Sequence, residues 1–195
     1  MIIALSFLLC ALDLRAYLYA FSLELSTMTA EKSLILDAPQ VRQKIRRMAF
    51  EIYEHNFKEK NIVIAGIIGQ GYVLAKLLVK QVESISPIEA KLVKITIDKV
   101  APLQNDIALD CDVKELRKKT VILVDDVLNT GRTFTYGMKP FLNIEVKKIE
   151  TAVLINRGHS LFPIHTQYTG YEMSTTIKDH IEVILSKEEM AVYLH

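Results

Sequence analysis

The chain has 195 residues, with 24 Lys+Arg against 23 Asp+Glu for a formal net charge of +1, and 50% of it is hydrophobic. That length suits one medium domain with a sizeable core, and the composition excludes collagen-like, disulfide-scaffold and wholly disordered chains. The balanced charge argues against a surface given over entirely to nucleic acid. Two cysteines, Cys10 and Cys111, make neither a disulfide framework nor a zinc ligand set, so a reducing, cytoplasmic compartment is expected.

Residues 1–27 read differently from the rest, because 20 of the 27 are apolar. The uncharged run stops at Asp13, with Arg15 and Glu24 following. A membrane span needs roughly 18 or more apolar residues without central charges, so no stable membrane association is expected. A signal peptide needs a basic n-region and a small-residue cleavage site, and the segment shows neither. The favoured reading is an over-extended start, with translation beginning at Met28 and the domain spanning 28–195. An export leader and a genuine helix of the fold are the alternatives. Without Asp13, Arg15 and Glu24 the remaining 168 residues carry 23 basic and 21 acidic groups, a net charge of +2.

Asp37-Ala38-Pro39-Gln40 predicts a helix start: Asp37 caps the exposed amides, Pro39 fits the first turn, and Gln40 completes a capping box. Val41, Ile45, Met48, Ala49, Ile52 and Tyr53 follow at helical spacing and make one buried face. Asn61 to Gly66 reads as a buried strand, Gly69-Gln70-Gly71 punctuates it, and Val73, Leu74, Leu77, Leu78 and Val82 predict a second helix. Lys91 to Ile97 alternates and is β-branched, which predicts a strand. Residues 98–117 read as a mobile loop with a short hairpin. Val121 to Val124 is the strongest buried strand, followed by a helix over Gly131 to Leu142. Ile149 to Ile155 is another strand, Tyr168 lies in a short one, and 181–185 with 191–194 reads as a closing hairpin. Strand and helix alternating in this way predict a single-domain α/β fold with a parallel sheet flanked by helices.

The chemistry concentrates in Val121-Ile122-Leu123-Val124-Asp125-Asp126-Val127-Leu128-Asn129-Thr130-Gly131-Arg132-Thr133. Ligands of open α/β sheets bind beyond the carboxyl ends of the strands. A turn rich in hydroxyls and glycine at a helix start offers amides to a phosphate. The two adjacent carboxylates can accept hydrogen bonds from vicinal hydroxyls or help hold Mg²⁺. Together these suit a ribose 5-phosphate. The rival meaning is a strand that ends in ordinary solvated acids. A Walker B strand is a second rival, but the Gly-x-x-x-x-Gly-Lys-Ser/Thr loop that should travel with it does not occur, nor does a Gly-x-Gly-x-x-Gly turn.

VILVDDVLNTGRT resembles the phosphoribosyl-pyrophosphate (PRPP) binding motif of type I phosphoribosyltransferases. The similarity continues through Ala152 to His159, Phe162-Pro163-Ile164, Tyr168-Thr169-Gly170 and Thr175-Thr176, where it resembles the pyrimidine-operon attenuation regulators that are also uracil phosphoribosyltransferases. It covers roughly Ile35 to Leu194. The resemblance implies the type I phosphoribosyltransferase fold, with a small hood and a C-terminal β-hairpin. It also implies an enzyme, a pentosyltransferase of nucleotide metabolism and pyrimidine salvage. In its reaction, with PRPP and Mg²⁺, a base nitrogen displaces pyrophosphate at the anomeric carbon through an oxocarbenium-like transition state, leaving the protein mainly positioning and charge stabilisation to supply. By similarity Asp125 and Asp126 are the catalytic pair, binding the ribose hydroxyls and helping to hold the metal through PRPP and water. Asn129, Thr130, Gly131, Arg132 and Thr133 cradle the 5-phosphate. Ile68, Gly69, Gln70 and Gly71 form the pyrophosphate loop, where glycine lets amides approach an anion. Asn156, Arg157, Tyr168 and Thr169 lie against the base. A homodimer or higher homo-oligomer is implied as well.

Departures from the family's pattern bear on the activity. Purine-salvage relatives place a carboxylate where this chain has Asn129, which cannot act as a base, so a pyrimidine such as uracil is favoured. The uracil branch has Asp where this chain has Asn156. The pyrophosphate loop lacks the branch's arginine, and Thr96 to Pro102 lacks the tyrosine, arginine and paired acids of its flexible loop, leaving Lys94 or Lys99 to neutralise pyrophosphate. His159 reads as a site residue or a structural one. Arg42, Lys44, Arg46 and Arg47 form a basic helix surface that suits RNA or simple solvation. Two functions therefore stand side by side: a uracil-type phosphoribosyltransferase, and a nucleotide-sensing RNA-binding transcriptional regulator with weak or no catalysis. A degenerate, structural subunit is disfavoured by the intact 125–133 segment.

Overall fold

The computed structural model describes residues 32–99, 107–176 and 179–195. The leader over 1–27, the start at Met28 and residues 100–106 of the loop expected over 98–117 lie outside the described residues.

Asp37 caps the first helix, α1 (Ala38–Asn56), with the reciprocal bonds of a capping box: the Gln40 amide donates to Asp37 Oδ1 at 2.9 Å, and the Asp37 amide donates to Gln40 Oε1 at 3.0 Å. The helix buries Val41, Ile45, Met48, Ala49 and Ile52, each large apolar side chain contributing about 1.5–3 kcal/mol by leaving water. Tyr53 is half-buried and packs against that cluster. The second helix, α2 (Gln70–Ile85), buries Leu74, Ala75, Leu78 and Val82.

Six strands form the main sheet: β2 (Asn61–Ile67), β3 (Glu89–Thr96), β4 (Ala108–Leu109), β5 (Thr120–Leu128), β6 (Lys148–Asn156) and β7 (Tyr168–Glu172), in the order β4-β3-β2-β5-β6-β7. All neighbours are parallel except β4, which pairs antiparallel with β3. The sheet is therefore mixed rather than wholly parallel, because a two-residue return from β3 needs no crossover. A second sheet of three strands, ordered β1-β9-β8, joins β1 (Ser33–Leu36) to the antiparallel hairpin β8 (Ile181–Leu185) and β9 (Met190–Leu194) and forms the hood.

Two apolar layers cover the main sheet. One unites α1, α2, the hood and Ile62, Ile64, Ile122, Val124, Ala152 and Leu154. The other sets Val63, Ala65, Val121, Leu123 and Val153 against Phe134 and Phe141. The latter two belong to short helices, α3 (Arg132–Gly137) and α4 (Lys139–Leu142). The continuous helix expected over 131–142 is thus two pieces, since Pro140 lacks an amide hydrogen and restricts Lys139 before it.

Candidate functional site

Register decides where the site opens. The pairing of β2 with β5 ends at Gly66↔Val124, while β5 continues against β6 through Asp125↔Val153 and Leu128↔Asn156. Asp125 is therefore the first residue of β5 beyond its last partner on β2. Both carboxylates lie inside the strand and not after it, a correction to the expected end at Val124: the ladder with β6 carries the backbone past the acids, whatever their polarity.

Asp125 is 3% exposed. Its Oδ1 accepts from Lys99 Nζ at 2.9 Å, and Asp126 Oδ1 lies 3.6 Å from the same ammonium. Successive strand residues normally face opposite ways, yet here both carboxylates reach one cation. Burial pushes the Asp125 carboxyl well above its ordinary range; the Asp126 charge adds to this and Lys99 opposes it. Burial lowers the Lys99 ammonium, but Asp125 and Asp126 outweigh it and the net shift is upward.

The α2 start reaches β5 because residue 71 has no side chain. A Cβ at Gly71 would stand 2.6 Å from Asp125 Oδ1 and 2.9 Å from Asp125 Cα. Gly69, at φ 100°, turns the chain into the helix. Gln70 does not face the crevice: its Oε1 accepts from the Leu185 amide of the hood at 3.2 Å. Ile68 is 40% exposed, and residues 66–71 include no lysine or arginine.

Beyond β5, Asn129, Thr130, Gly131, Arg132 and Thr133 line one open pocket of about 370 Å³ with Lys99 and Asp125. Gly131 holds φ 81° and opens α3 with no side-chain cap. The loop is pinned from behind, since Thr130 O accepts from the amides of Leu161 at 2.8 Å and Phe162 at 3.0 Å. The guanidinium of Arg132 lies over the Tyr136 ring, 5.9 Å from its centroid. Among the described residues no group of three or more His, Cys, Asp and Glu side chains is arranged to hold a metal by itself.

A neighbouring pocket of about 470 Å³ is lined by Asn129, Thr130, Arg157, Gly158, His159, Ser160 and Leu161. Arg157 is 6% exposed and spends its guanidinium on the chain leading to the hood, donating to Thr175 Oγ1 at 2.8 Å, Thr176 O at 3.0 Å and Asp179 O at 2.8 Å. His159 Nε2 meets Thr175 O at 2.5 Å, so its ring also braces that segment. The Asn156 side chain bridges Glu172 Oε1 and the Gly158 amide.

Two expected base contacts are not brought to either pocket. Tyr168 is fully buried on the α1 side of the sheet, where its hydroxyl donates to Glu150 Oε2 at 3.0 Å and accepts from Asn56 Nδ2 at 3.2 Å. Burial, with Glu150 adding, raises its phenol far above the ordinary range. Thr169 pairs its hydroxyl with that of Thr166 at 2.7 Å and its carbonyl with Arg47 at 2.6 Å. Sequence reasoning missed the Gln70–Leu185 tie and the Arg157 brace, both contacts across more than fifteen residues. The close approach at Gly71 was legible only as a glycine in a loop.

A family model for the phosphoribosyl transferase domain matches residues 32–186. Curated relatives include a protein named Bifunctional protein PyrR from Fusobacterium nucleatum subsp. nucleatum, 34% identical over 176 residues, covering 85% of this chain and 99% of the relative. A protein of the same name from Bacillus cereus is 33% identical over 171 residues, covering 82% and 93%. Among solved structures, the hypoxanthine phosphoribosyltransferase of Trypanosoma cruzi aligns with a TM-score of 0.68 at 12% identity, covering 82% of this chain and 95% of that one. A hypoxanthine-guanine phosphoribosyltransferase from Bacillus anthracis gives 0.61 at 20% identity, covering 73% and 84%. At those identities the structures speak for the fold alone, whereas the domain match and the relatives at one-third identity establish kinship: the chain belongs to the phosphoribosyl transferase family.

Proposed function

We propose that the 125–133 pocket binds a 5-phosphorylated ribose compound, either PRPP or a pyrimidine nucleoside monophosphate, and that the chain is a nucleotide-sensing RNA-binding regulator in which phosphoribosyl transfer is slow or absent. The observation that carries this is a contrast within one crevice. Thr130, Thr133 and the start of α3, whose Arg132 amide donates to Thr130 Oγ1 at 3.3 Å, line a pocket with Asp125, while the loop over 66–71, where pyrophosphate would lie, holds no cation and turns Gln70 toward the hood. Asp125 and Asp126 accept hydrogen bonds from the ribose hydroxyls, and the 129–133 loop takes the phosphate through amides and hydroxyls. The two carboxylate oxygens that converge on one ammonium fit Mg²⁺ carried in by the ligand, which would neutralise the leaving pyrophosphate.

The RNA side rests on α1. Arg42 and Arg46, one turn apart, border a groove of about 410 Å³ between α1 and α2. Lys44 and Arg47 turn instead toward β7, Lys44 over the Tyr171 ring and Arg47 onto the Thr169 and Gly170 carbonyls. The name that the relatives carry, a bifunctional protein, is in keeping with two roles on one chain.

A second reading, a uracil-type phosphoribosyltransferase, is favoured by the pocket beside Asn129 and Thr130, whose volume of about 470 Å³ accommodates a base. Turnover with PRPP, Mg²⁺ and a panel of bases separates the two. Under the regulator reading nucleotide formation is slow or undetectable, UMP binds, and structured RNA binds with an affinity that drops steeply with salt. Fast formation of UMP, with RNA binding absent or independent of salt, overturns it in favour of the enzyme. If neither PRPP nor UMP binds, both readings fail.

A further inference from the structure

We propose that Lys99 is the resident counter-ion of the Asp125–Asp126 pair, and that a ribose ligand or a divalent cation gains the carboxylates only by exchange with its ammonium. This rests on the reading of the crevice as a site for 5-phosphorylated ribose, but it concerns a residue outside the motif and a state of the free protein.

The acids and the ammonium differ in their freedom to move. The Asp125 side chain is 4% exposed and is held in a strand bonded to β6, so it cannot leave. The Lys99 side chain is 40% exposed and lies three residues past the end of β3 at Thr96. An ammonium on a four-carbon stem can return to water without unpacking anything. The acids, by contrast, cannot stand alone. Two carboxylates side by side, one of them buried, are mutually repulsive and poorly solvated, and Lys99 is the cation within 4 Å of both among the described residues.

The position of the tether shows where the freed ammonium remains. The Ile68 amide of the pyrophosphate loop donates to Ile95 O of β3 at 2.9 Å, so β3 and the uncharged 66–71 loop run side by side up to the crevice. A lysine released from the carboxylates therefore stays next to the loop that lacks a cation. Exchange at the acids and supply of a positive charge to the neighbouring subsite are one movement of one side chain.

The test uses the full chain at pH 8, with Mn²⁺ alone as the probe and free Mn²⁺ read by electron paramagnetic resonance. Lys99→Met should tighten Mn²⁺ binding about tenfold, since an exchangeable cation no longer competes for the same oxygens. Lys99→Arg should behave as wild type. Adding Asp125→Asn and Asp126→Asn to Lys99→Met should abolish the gain. A change of less than about threefold in Lys99→Met, or a gain that survives loss of both acids, overturns the assignment. Calorimetry with ribose 5-phosphate runs in parallel and judges the ribose reading separately. If that sugar phosphate fails to bind while the Mn²⁺ gain is seen, the ribose reading falls and the counter-ion stands. If the sugar phosphate binds without the Mn²⁺ gain, the counter-ion falls and the ribose reading stands.

Discussion

Replacing Gly71 by alanine tests the construction of the crevice at its tightest point. The added methyl would stand 2.6 Å from Asp125 Oδ1, 2.9 Å from Asp125 Cα and 3.1 Å from Val124 O, whereas ordinary carbon contacts are about 3.5–4.0 Å. Two of those three atoms are backbone of β5, a central strand bonded on one side to β2 and on the other to β6. The strand cannot yield, so the start of α2 must withdraw or the carboxylate must turn. Overpacking of this kind costs about 1–3 kcal/mol. Alanine recovers up to about 1 kcal/mol through helix propensity, less in the first turn, which leaves a net loss of about 1–2 kcal/mol. For a domain of this size that lowers Tm by about 2–8 °C. Ligand binding should suffer as well, because the displaced atom is the carboxylate oxygen proposed to meet the ribose; an affinity loss of about tenfold corresponds to about 1.4 kcal/mol. Thermal melts and calorimetry with ribose 5-phosphate read the two effects. Gly137→Ala is the control, since its Cβ meets Ile67 and Leu123 at an ordinary 3.7 Å. Gly71→Ala with wild-type Tm and undiminished affinity for ribose 5-phosphate would refute the close approach as the device that seats Asp125.

Gly131→Ala places a side chain at φ 81° and 3.2 Å from Ile164; a loss of about 1–2 kcal/mol is expected, with weakened phosphate binding, and an unchanged melt would contradict it. Asp125→Asn should reverse the usual sign of a site mutation. The folded carboxyl is raised above its unfolded value, so the native state binds the extra proton and stability falls as pH climbs from the unfolded pKa through the folded one. The amide removes that loss, so melts at pH 8 should favour Asp125→Asn over wild type, with the gap closing toward pH 4 while ribose 5-phosphate binding is lost; a variant less stable at pH 8 than at pH 4 relative to wild type would oppose the sign. Tyr168→Phe removes a buried hydroxyl whose partners Glu150 and Asn56 keep each other and further bonds to Lys148 and Ile52, so it should cost about 0.5–1.5 kcal/mol without altering nucleotide affinity. A changed affinity would return Tyr168 to the site.

Much of this architecture is legible in the sequence because local signals agree with the final packing. Asp37 and Gln40 announce the start of α1, and the apolar spacing from Val41 to Ile52 gives its buried face. The hairpin of β8 and β9 follows from two short apolar runs, Ile181 to Leu185 and Ala191 to Leu194. The failures have equally local causes. The acids at 125 and 126 look like the end of an apolar run, yet hydrogen bonding to β6 extends β5 through them to Leu128. Phe134 and Phe141 share one apolar cluster, which mimics a single helix that Pro140 divides. Tyr168 belongs to a segment with polar and apolar residues intermixed, and which face of β7 turns to the core depends on a register that a lone sequence does not display. Arg157, which the resemblance sets against the base, does line the pocket beside Asn129 and Thr130; its bonds to three oxygens of residues 175–179 are contacts that no local pattern displays.

The residues that matter most are those where local rules are broken. A carboxylate sits in a core strand, a helix begins without a cap at a left-handed glycine, and a second helix starts where a methyl group would collide with the site. Each feature is unfavourable alone and is in keeping with the anionic sugar proposed for the crevice. The carboxylates need donors, and the loop over 66–71 carries no lysine or arginine. Lys99 satisfies the carboxylates' need in the free protein. The same side chain therefore stabilises the empty site and competes with whatever fills it. That coupling separates a site built for rapid turnover from one built to register occupancy. In a fast enzyme the exchange of one cation for another would add a barrier to every cycle, whereas in a sensor it makes the position of one lysine depend on whether nucleotide is bound.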